Sequence, residues 1–443
     1  MTMFNGQSAT PRGITLSSNR SSIISVLDIG TSKICCVIAK LRPLARKPEL
    51  PGRTHGIEIL GVCNQWSRGI KGGVVIDMDA AEQSIRSAVD AAERMANVTV
   101  ESVIVNISCG RIYSEAFSAS IDIKGHEVSE RDIQRVLQAG RKHSDSQTRS
   151  VLHAVPIGYN LDGNRGIRDP RGMLGDNLSV DIHMVSAETA PLRNLSLCIS
   201  RCHLTIEAMV TTPYASGLSS LVQDEADLGV LCIDMGGGTT SASIFFEGQF
   251  VYSDVIALGG GHVTTDIARG LSTPLSEAER IKTLYGSALA SASDERETIQ
   301  VPPVGDACVE NGNVVPRSIL TGIIQPRLEE TFEMLRDRLK SSGFARYGGR
   351  RVVLTGGASQ LTGVCELAAR ILDKQVRIGR PLGITGLPEA TRGPAFSAVM
   401  GLLVYPQVAR FEVAEIAQST RKKTFSPGSG YLSRVGGWLR ESF

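Results

Sequence analysis

Aromatic residues are scarce, 5% of 443 positions, and charge nearly cancels: 47 Lys and Arg face 45 Asp and Glu, a formal net of +2. Such a balance lacks the basic surface on which nucleic-acid binding rests, so no nucleic-acid partner is expected. No apolar run reaches the ~18 residues of a membrane-spanning helix, because each ends early on Gly or Asp. The opening residues, MTMFNGQSATPRGITLSSNRSS, contain no apolar h-region. They read as a disordered polar lead-in over 1–21 rather than a secretory signal. CxxC pairs are absent too. The nine cysteines (Cys35, Cys36, Cys63, Cys109, Cys198, Cys202, Cys232, Cys308 and Cys365) are odd in number, and several lie inside apolar runs. They read as reduced, buried thiols of a cytoplasmic protein, not as a disulfide or zinc framework.

Glycine, by contrast, is abundant at 46 residues, which suits a loop-rich α/β protein with tight strand ends. The length allows two or more domains, each with its own core. SIISVLDIG, TSKICCVIAKL and GIEILGVCNQ read as three strands, followed by a Gly-rich connection, a helix over 79–97 and the strand VESVIVNIS. Residues 228–268 repeat that plan: LGVLCIDMG, GTTSASIFFEG and QFVYSDVIALGGG are strands, and HVTTDIARGL starts a helix. An internal duplication of this kind implies two similar α/β domains facing each other across a cleft. Between them, 109–180 reads as a small inserted α+β subdomain, with DGNRGIRDPRG as a loop. Residues 271–324 look less regular, and 411–429 has the Ser, Pro, Gly and Lys content of a flexible linker.

Three Gly-rich turns carry the chemistry. Phosphate binding needs backbone N–H groups that approach oxygen closely, and Gly permits that approach. DIGTSK (28–33) offers Gly30, Thr31, Ser32 and the Lys33 ammonium; DMGGGTT (234–240) offers Gly236, Gly237, Gly238 and Thr239. LTGGASQLTG (354–363), with Gly356, Gly357 and Ala358, follows the strand RRVVL and opens a helix. Asp28 and Asp234 stand at matching strand ends. Two carboxylates facing across a cleft suit a magnesium ion held through water. Any one such turn is ordinary; the matched pair with a third is not.

Together these motifs resemble the actin, DnaK-type chaperone and sugar-kinase superfamily. Within it the chain is similar over nearly its whole length to the FtsA family of bacterial cell-division proteins. The similarity includes GIKGGVVIDMDAAEQSIRSAVDAAE, VLHAVPIGYNLDG, ALGGGHVTTDIA, VRIGRPLGITGL and the terminal WLRESF. The resemblance implies an α/β, actin-like fold: two ribonuclease-H-like domains around a nucleotide cleft, with 109–180 as the inserted 1C subdomain. Subdomain 1A would be 22–108 with 181–212 and 377–410, 2A would be 213–260 with 325–376, and 2B would be 261–324.

ATP and Mg2+ are the implied cofactors. Lys33 and the Gly30–Thr31 turn would hold the terminal phosphates from one side and Gly236 to Thr239 from the other. Gly356, Gly357 and Ala358 would pack on adenine and the α-phosphate, and Glu279 and Lys282 would reach the ribose; an exposed i, i+3 ion pair is their other reading. The implied partners are the C-terminal tail of FtsZ, other copies of the chain in filaments, inner-membrane lipid, and further division proteins through 1C. Arg317 and Arg327 are candidates for the FtsZ site, against a reading as solvated arginines at a helix start. The implied place is the cytoplasmic face of the inner membrane at the division septum. One departure stands out. Where DnaK-type members carry a glutamate, this chain has VTTPYASGLSS, with Thr212 near that point. A threonine cannot take a proton from water as a carboxylate does, so slow or negligible hydrolysis is expected, with ATP controlling assembly. The enzymatic alternative is a sugar kinase-like phosphotransferase.

The sequence ends on GYLSRVGGWLRESF. On a helix at about 100° per residue, Tyr431, Leu432, Val435, Trp438, Leu439 and Phe443 share an arc of roughly 140°. That is the shape of a helix lying in a membrane interface; a helix docked on the protein's own body, or fraying, is the competing reading. The linker before it, with Arg421, Lys422 and Lys423, favours anionic lipid. Gly436 and Gly437 weaken the helix by roughly 1 kcal/mol each. A single tail would then bind weakly, and firm attachment would need an array of tails.

Overall fold

The computed structural model describes residues 16–17, 20–44, 50–141, 148–305, 313–409 and 412. Most of the lead-in, the linker beyond 412, the terminal helix expected at 430–443 and Cys308 lie outside the described residues. Strands β1 (Ser22–Ile29), β2 (Lys33–Pro43) and β3 (His55–Trp66) form an antiparallel meander. Ile34 to Ala39 are wholly buried, as a sheet covered on both faces requires. A short hairpin, β4 (Ile70–Lys71) and β5 (Val74–Val75), leads into α1 (Met78–Ala96). The Asp77 carboxylate caps α1 by accepting from the N–H groups of Asp79 and Ala80, and Asn97 ends it in the left-handed region. β6 (Ser102–Ile107) then runs parallel to β1.

The insertion follows as β7 (Tyr113–Asp122), α2 (Glu130–Arg141), β8 (Arg149–Leu161), β9 (Asn164–Ile167) and β10 (Asn177–Glu188). Its sheet, in the order β7-β10-β8-β9, has its own core of Val136, Leu137, Leu178, Val180 and Ile182. Two details differ from expectation. Part of DGNRGIRDPRG is β9, because Asp162 and Gly163, both at positive φ, close a hairpin. Residue 180, the expected end of the insertion, falls inside β10, which pairs with β8 as far as Glu188. The insertion also rests on the second half of the chain. Ser114 Oγ accepts from the Ser253 N–H at 3.1 Å, and His183 Nδ1 lies 2.8 Å from the Phe250 carbonyl.

α3 (Thr189–Arg201) and β11 (Thr205–Thr211) complete the first sheet, in which β11, β6, β1, β2 and β3 lie side by side. α4 (Thr212–Ser220) passes between the halves. The second half contains α5 (Gln223–Leu228), β12 (Val230–Met235), β13 (Thr240–Phe246), β14 (Gln249–Ile256), α6 (Gly260–Gly270) and α7 (Leu275–Tyr285). The hairpin β15 (Thr298–Val301) and β16 (Asn313–Pro316), then α8 (Arg317–Ser342), β17 (Arg351–Thr355), α9 (Val364–Leu372) and β18 (Gln375–Ile378) follow. The order β14-β13-β12-β17-β18 repeats the first sheet with the same parallel and antiparallel pairings. The duplication read from the sequence is therefore a duplication of topology, and the fold is actin-like with an inserted subdomain. β19 (Ile384–Thr385) returns to pair with β3, and α10 (Ser397–Val408) crosses α4. The crossing is so close that a Cβ on Gly401 would lie 1.7 Å from the Ala215 carbonyl oxygen.

The stretch 271–324 holds more structure than its composition showed: α7, the β15–β16 hairpin and the start of α8. Residue 324 lies within α8, which continues past Pro326. The turn after β17 also differs from expectation. Gly356 and Gly363, both in the left-handed region, bracket a 3-10 turn at Gly357–Gln360, so α9 begins only at Val364. Eight described cysteines are free thiols, five of them buried. Burial raises the Cys35, Cys36 and Cys232 thiols well above their ordinary range, which suits structural rather than reactive roles.

Candidate functional site

Both sheets turn the ends of their first strands toward one cavity of about 470 Å³, within the range of small-ligand sites. Its lining includes Gly30, Thr31, Ser32 and Lys33 from the first turn and Gly236 to Thr239 from the second. Asp28 and Asp234, then Glu279 and Lys282 of α7, and Gly356, Gly357 and Ala358 after β17 complete the set read from the sequence. The two phosphate-loop candidates meet face to face. A Cβ on Gly237 would stand 1.9 Å from Ser32 Oγ, and one on Gly238 would stand 2.3 Å from Thr31 Oγ1. A side chain at either point would force the facing hydroxyl to shift. Both turns are drawn tight in the same way: Gly30 N–H donates to Lys33 O at 3.0 Å, and Gly236 N–H to Thr239 O at 2.9 Å. Among the described residues the N–H groups of Thr31, Gly237 and Gly238 take no backbone acceptor, which leaves them for an anion.

The charges form a buried trio. Asp28 is 6% exposed and Asp234 7%. Burial raises the Asp28 carboxyl to about 6; the Lys33 ammonium opposes that shift and Asp234 adds to it. Burial raises Asp234 as well, against the Ser216 hydroxyl that donates to it and against Lys33. Lys33 is in turn lowered, chiefly by burial, with Asp28 opposing. Its Nζ donates to the Ala395 carbonyl at 2.5 Å and lies 3.5 Å from the centroid of the Phe396 ring. Two buried carboxylates with one ammonium leave a shortage of positive charge, which fits a divalent cation. Among the described residues no group of three or more His, Cys, Asp or Glu could hold a metal alone.

On the other wall, Glu279 and Lys282 form an ion pair at 2.6 Å that is half-exposed: the lysine side chain is 14% exposed and the glutamate 49%. Lys282 Nζ also donates to the Gly260 carbonyl at 3.0 Å and to Thr264 Oγ1 at 2.8 Å, and Thr264 donates to Glu279. The pair therefore fixes the first turn of α6, beside the second glycine turn. Asn106 was missed from the sequence. Its Oδ1 accepts from the Ile29 N–H at 2.7 Å, and its Nδ2 donates to Thr212 Oγ1 at 3.2 Å. A lone amide in the buried strand SVIVNI was the available signal. Arg317 and Arg327 lie away from the cavity. Arg317 donates to Glu297 at 2.7 Å and to the Tyr285 carbonyl at 2.9 Å. Arg327 donates to Asp266 at 2.5 Å and also to Glu330. Both are thus held by internal partners and are not free solvated side chains.

Comparison with known proteins settles the family. A model described as "Cell division protein FtsA" matches residues 231–401, and one described as "SHS2 domain inserted in FTSA" matches 109–186. The "Cell division protein FtsA" of Agrobacterium fabrum (strain C58) is 54% identical over 433 residues, 98% of either chain. The chain belongs to the FtsA family of bacterial cell-division proteins. The Escherichia coli K12 FtsA is 31% identical over 424 residues, 94% of this chain and 97% of that one. Among solved structures, a chain of the PilM–PilN type IV pilus biogenesis complex superimposes with a TM-score of 0.59 at 16% identity, over 87% of this chain and 98% of that one. That likeness is one of fold. Among the described residues no helix is long and apolar enough to cross a membrane.

Proposed function

We propose that this FtsA-family chain binds ATP with Mg2+ in the cleft, assembles into filaments, and tethers FtsZ filaments to the inner membrane at the division septum. The observation that carries the nucleotide reading is the face-to-face pair of glycine turns over two buried carboxylates and one lysine. The Thr31, Gly237 and Gly238 amides and Lys33 would hold the terminal phosphates, with Asp28 and Asp234 holding the ion through its waters. When bound, the ion neutralises phosphate charge. Lys33 would exchange its contact with Ala395 O for a phosphate oxygen. Gly356, Gly357 and Ala358 would pack on the adenine side, and Lys282 with Glu279 on the ribose side. Thr212 pairs with the Asn106 amide, and neither side chain takes water's proton as a carboxylate base would. Turnover is therefore slow, well below about 1 s⁻¹.

Tethering is assigned to Tyr431, Leu432, Val435, Trp438, Leu439 and Phe443, and the partner sites to the 261–324 region for the FtsZ tail and to the insertion for further division proteins. An acidic tail docking at Arg317 or Arg327 would have to displace Glu297 or Asp266. Lipid-vesicle co-sedimentation of the full chain and a version ending at Ser426, each with and without ATP, tests the reading. Pelleting that requires both the tail and ATP supports it. Equal pelleting of the two versions removes the tail as anchor, and no pelleting of either refutes the tether.

A further inference from the structure

A buried junction joins the insertion, the floor of the cleft and the last described residue. His153, on β8, is fully buried, and Glu412 is 3% exposed. The Thr211 backbone N–H, at the end of β11, donates to His153 Nε2 at 3.0 Å. That nitrogen is the acceptor, so the ring proton sits on Nδ1. Nδ1 lies 3.2 and 3.1 Å from the two carboxylate oxygens of Glu412 and donates to them. Aromatic rings from three other elements close the junction. Tyr214 of α4, Tyr405 of α10 and Phe250 of β14 have centroids 5.0, 5.8 and 6.3 Å from the imidazole. Tyr214 also stacks on Phe250 at 4.2 Å.

The path continues into the cleft. Thr212 follows Thr211, lines the cavity and accepts from Asn106, which in turn holds the Ile29 N–H beside the first glycine turn. In the other direction, Glu412 precedes residues 413–443, which contain the six apolar residues assigned to the membrane. We propose that the His153–Glu412 pair couples occupancy of the cleft to the C-terminal segment. This rests on the ATP-binding reading above.

The physical ground is the cost of a buried carboxylate without its donor. Glu412 stays while the imidazole faces it, and the imidazole is held in place by Thr211. Movement of the two halves about α4 displaces Thr211. The ring then either carries Glu412 along or releases it, because a packed junction changes between discrete arrangements rather than stretching. By linkage, the state of Glu412 changes nucleotide affinity by the same factor as nucleotide changes Glu412.

The test uses the full chain and a non-hydrolysable ATP analogue with Mg2+. Affinity is measured by titration, and hydrogen exchange is followed in the peptide that spans Glu412. In the unmodified chain the analogue changes exchange there by about fivefold or more, the lower end of usual coupling. Glu412→Ala still binds the analogue but loses the response, and its affinity shifts by the same factor. Glu412→Gln, whose amide oxygen still accepts from Nδ1, keeps most of the response. Unchanged exchange in α1 shows that the variants are folded. Two results overturn the proposal: a response in Glu412→Ala as large as in the unmodified chain, or no response in the unmodified chain although the analogue binds. Failure of the unmodified chain to bind would overturn the ATP reading and this coupling together, and the titration reports that case separately.

Discussion

Asp28→Asn is the sharpest test of the cleft's electrostatics, because its sign should reverse with ligand. The Asp28 carboxyl is raised to about 6 from an ordinary 3.8. Between those values the folded chain holds a proton that the unfolded chain has lost, so stability falls as pH rises through that window. Above about 6 the accumulated deficit is roughly 2 pKa units, or ~3 kcal/mol at 1.36 kcal/mol per unit. Asparagine removes that burden. Lys33 loses one of its two carboxylate neighbours, which offsets part of the gain and leaves ~1–3 kcal/mol. The assay is thermal unfolding of the full chain with a metal chelator at pH 4 and pH 7.5. The variant should melt higher at pH 7.5, by an amount on the order of a few degrees, and the gap should close at pH 4. With ATP and Mg2+ present the order should invert, since ligand that binds only the folded state stabilises by RT ln(1 + [L]/Kd) and the variant has lost an ion-holding group. A variant less stable than the unmodified chain without ligand at pH 7.5, or a pH-independent gap, would refute the reasoning.

Three further outcomes are expected. Gly237→Ala places a Cβ 1.9 Å from Ser32 Oγ, so Ser32 must turn aside or the turns must part, and nucleotide affinity should fall about tenfold or more while circular dichroism is unchanged; retained affinity would show that the turns do not act together. Lys282→Ala removes the donor to Gly260 O and Thr264, and fluorescence titration should show weaker nucleotide binding, whereas Glu279→Gln should show less effect because Thr264 can still donate to it. His183 is fully buried, and that burial holds it down to about 3. The folded chain therefore resists protonation, and His183 contributes a loss of stability of up to ~1.4 kcal/mol per pH unit as pH falls below 6.5; a stability–pH slope in acid that His183→Gln leaves unchanged would contradict this.

The strand ends were the most legible part of the chain. Apolar runs that stop on Asp-x-Gly mark both the strand and the turn that follows it. The duplicated order of such runs set Asp28 and Asp234 at matching strand ends, and both line the cavity. What could not be read were features made by contacts between distant segments. Asn106 is far in sequence from both Ile29 and Thr212, and nothing local distinguishes it from a buried satisfied amide. The Glu279–Lys282 spacing gave the ion pair but not the lysine's further hold on Gly260 and Thr264, which depends on α6 packing beside α7. Similarly, the 271–324 region has loop composition, yet α7 and the β15–β16 hairpin form there because Ile281, Ile299 and Val301 find a shared core. Residue 180 was a natural break by composition, but β10 runs on because its pairing with β8 continues.

The resting of the insertion on β14 has a mechanical consequence. The chain enters and leaves that subdomain from the first half, yet Ser114 and His183 fasten it to Ser253 and Phe250 of the second. It is therefore a brace across the hinge rather than an appendage. The halves cannot swing apart about α4 without breaking these two hydrogen bonds, one buried and one partly so, or dragging the brace with them. Load applied to the far end of the insertion by a neighbouring molecule is delivered to the same strand, β14, that leads into Gly260 and Gly261 at the start of α6, which line the cavity. The stiffness of the cleft is in this sense set from outside it.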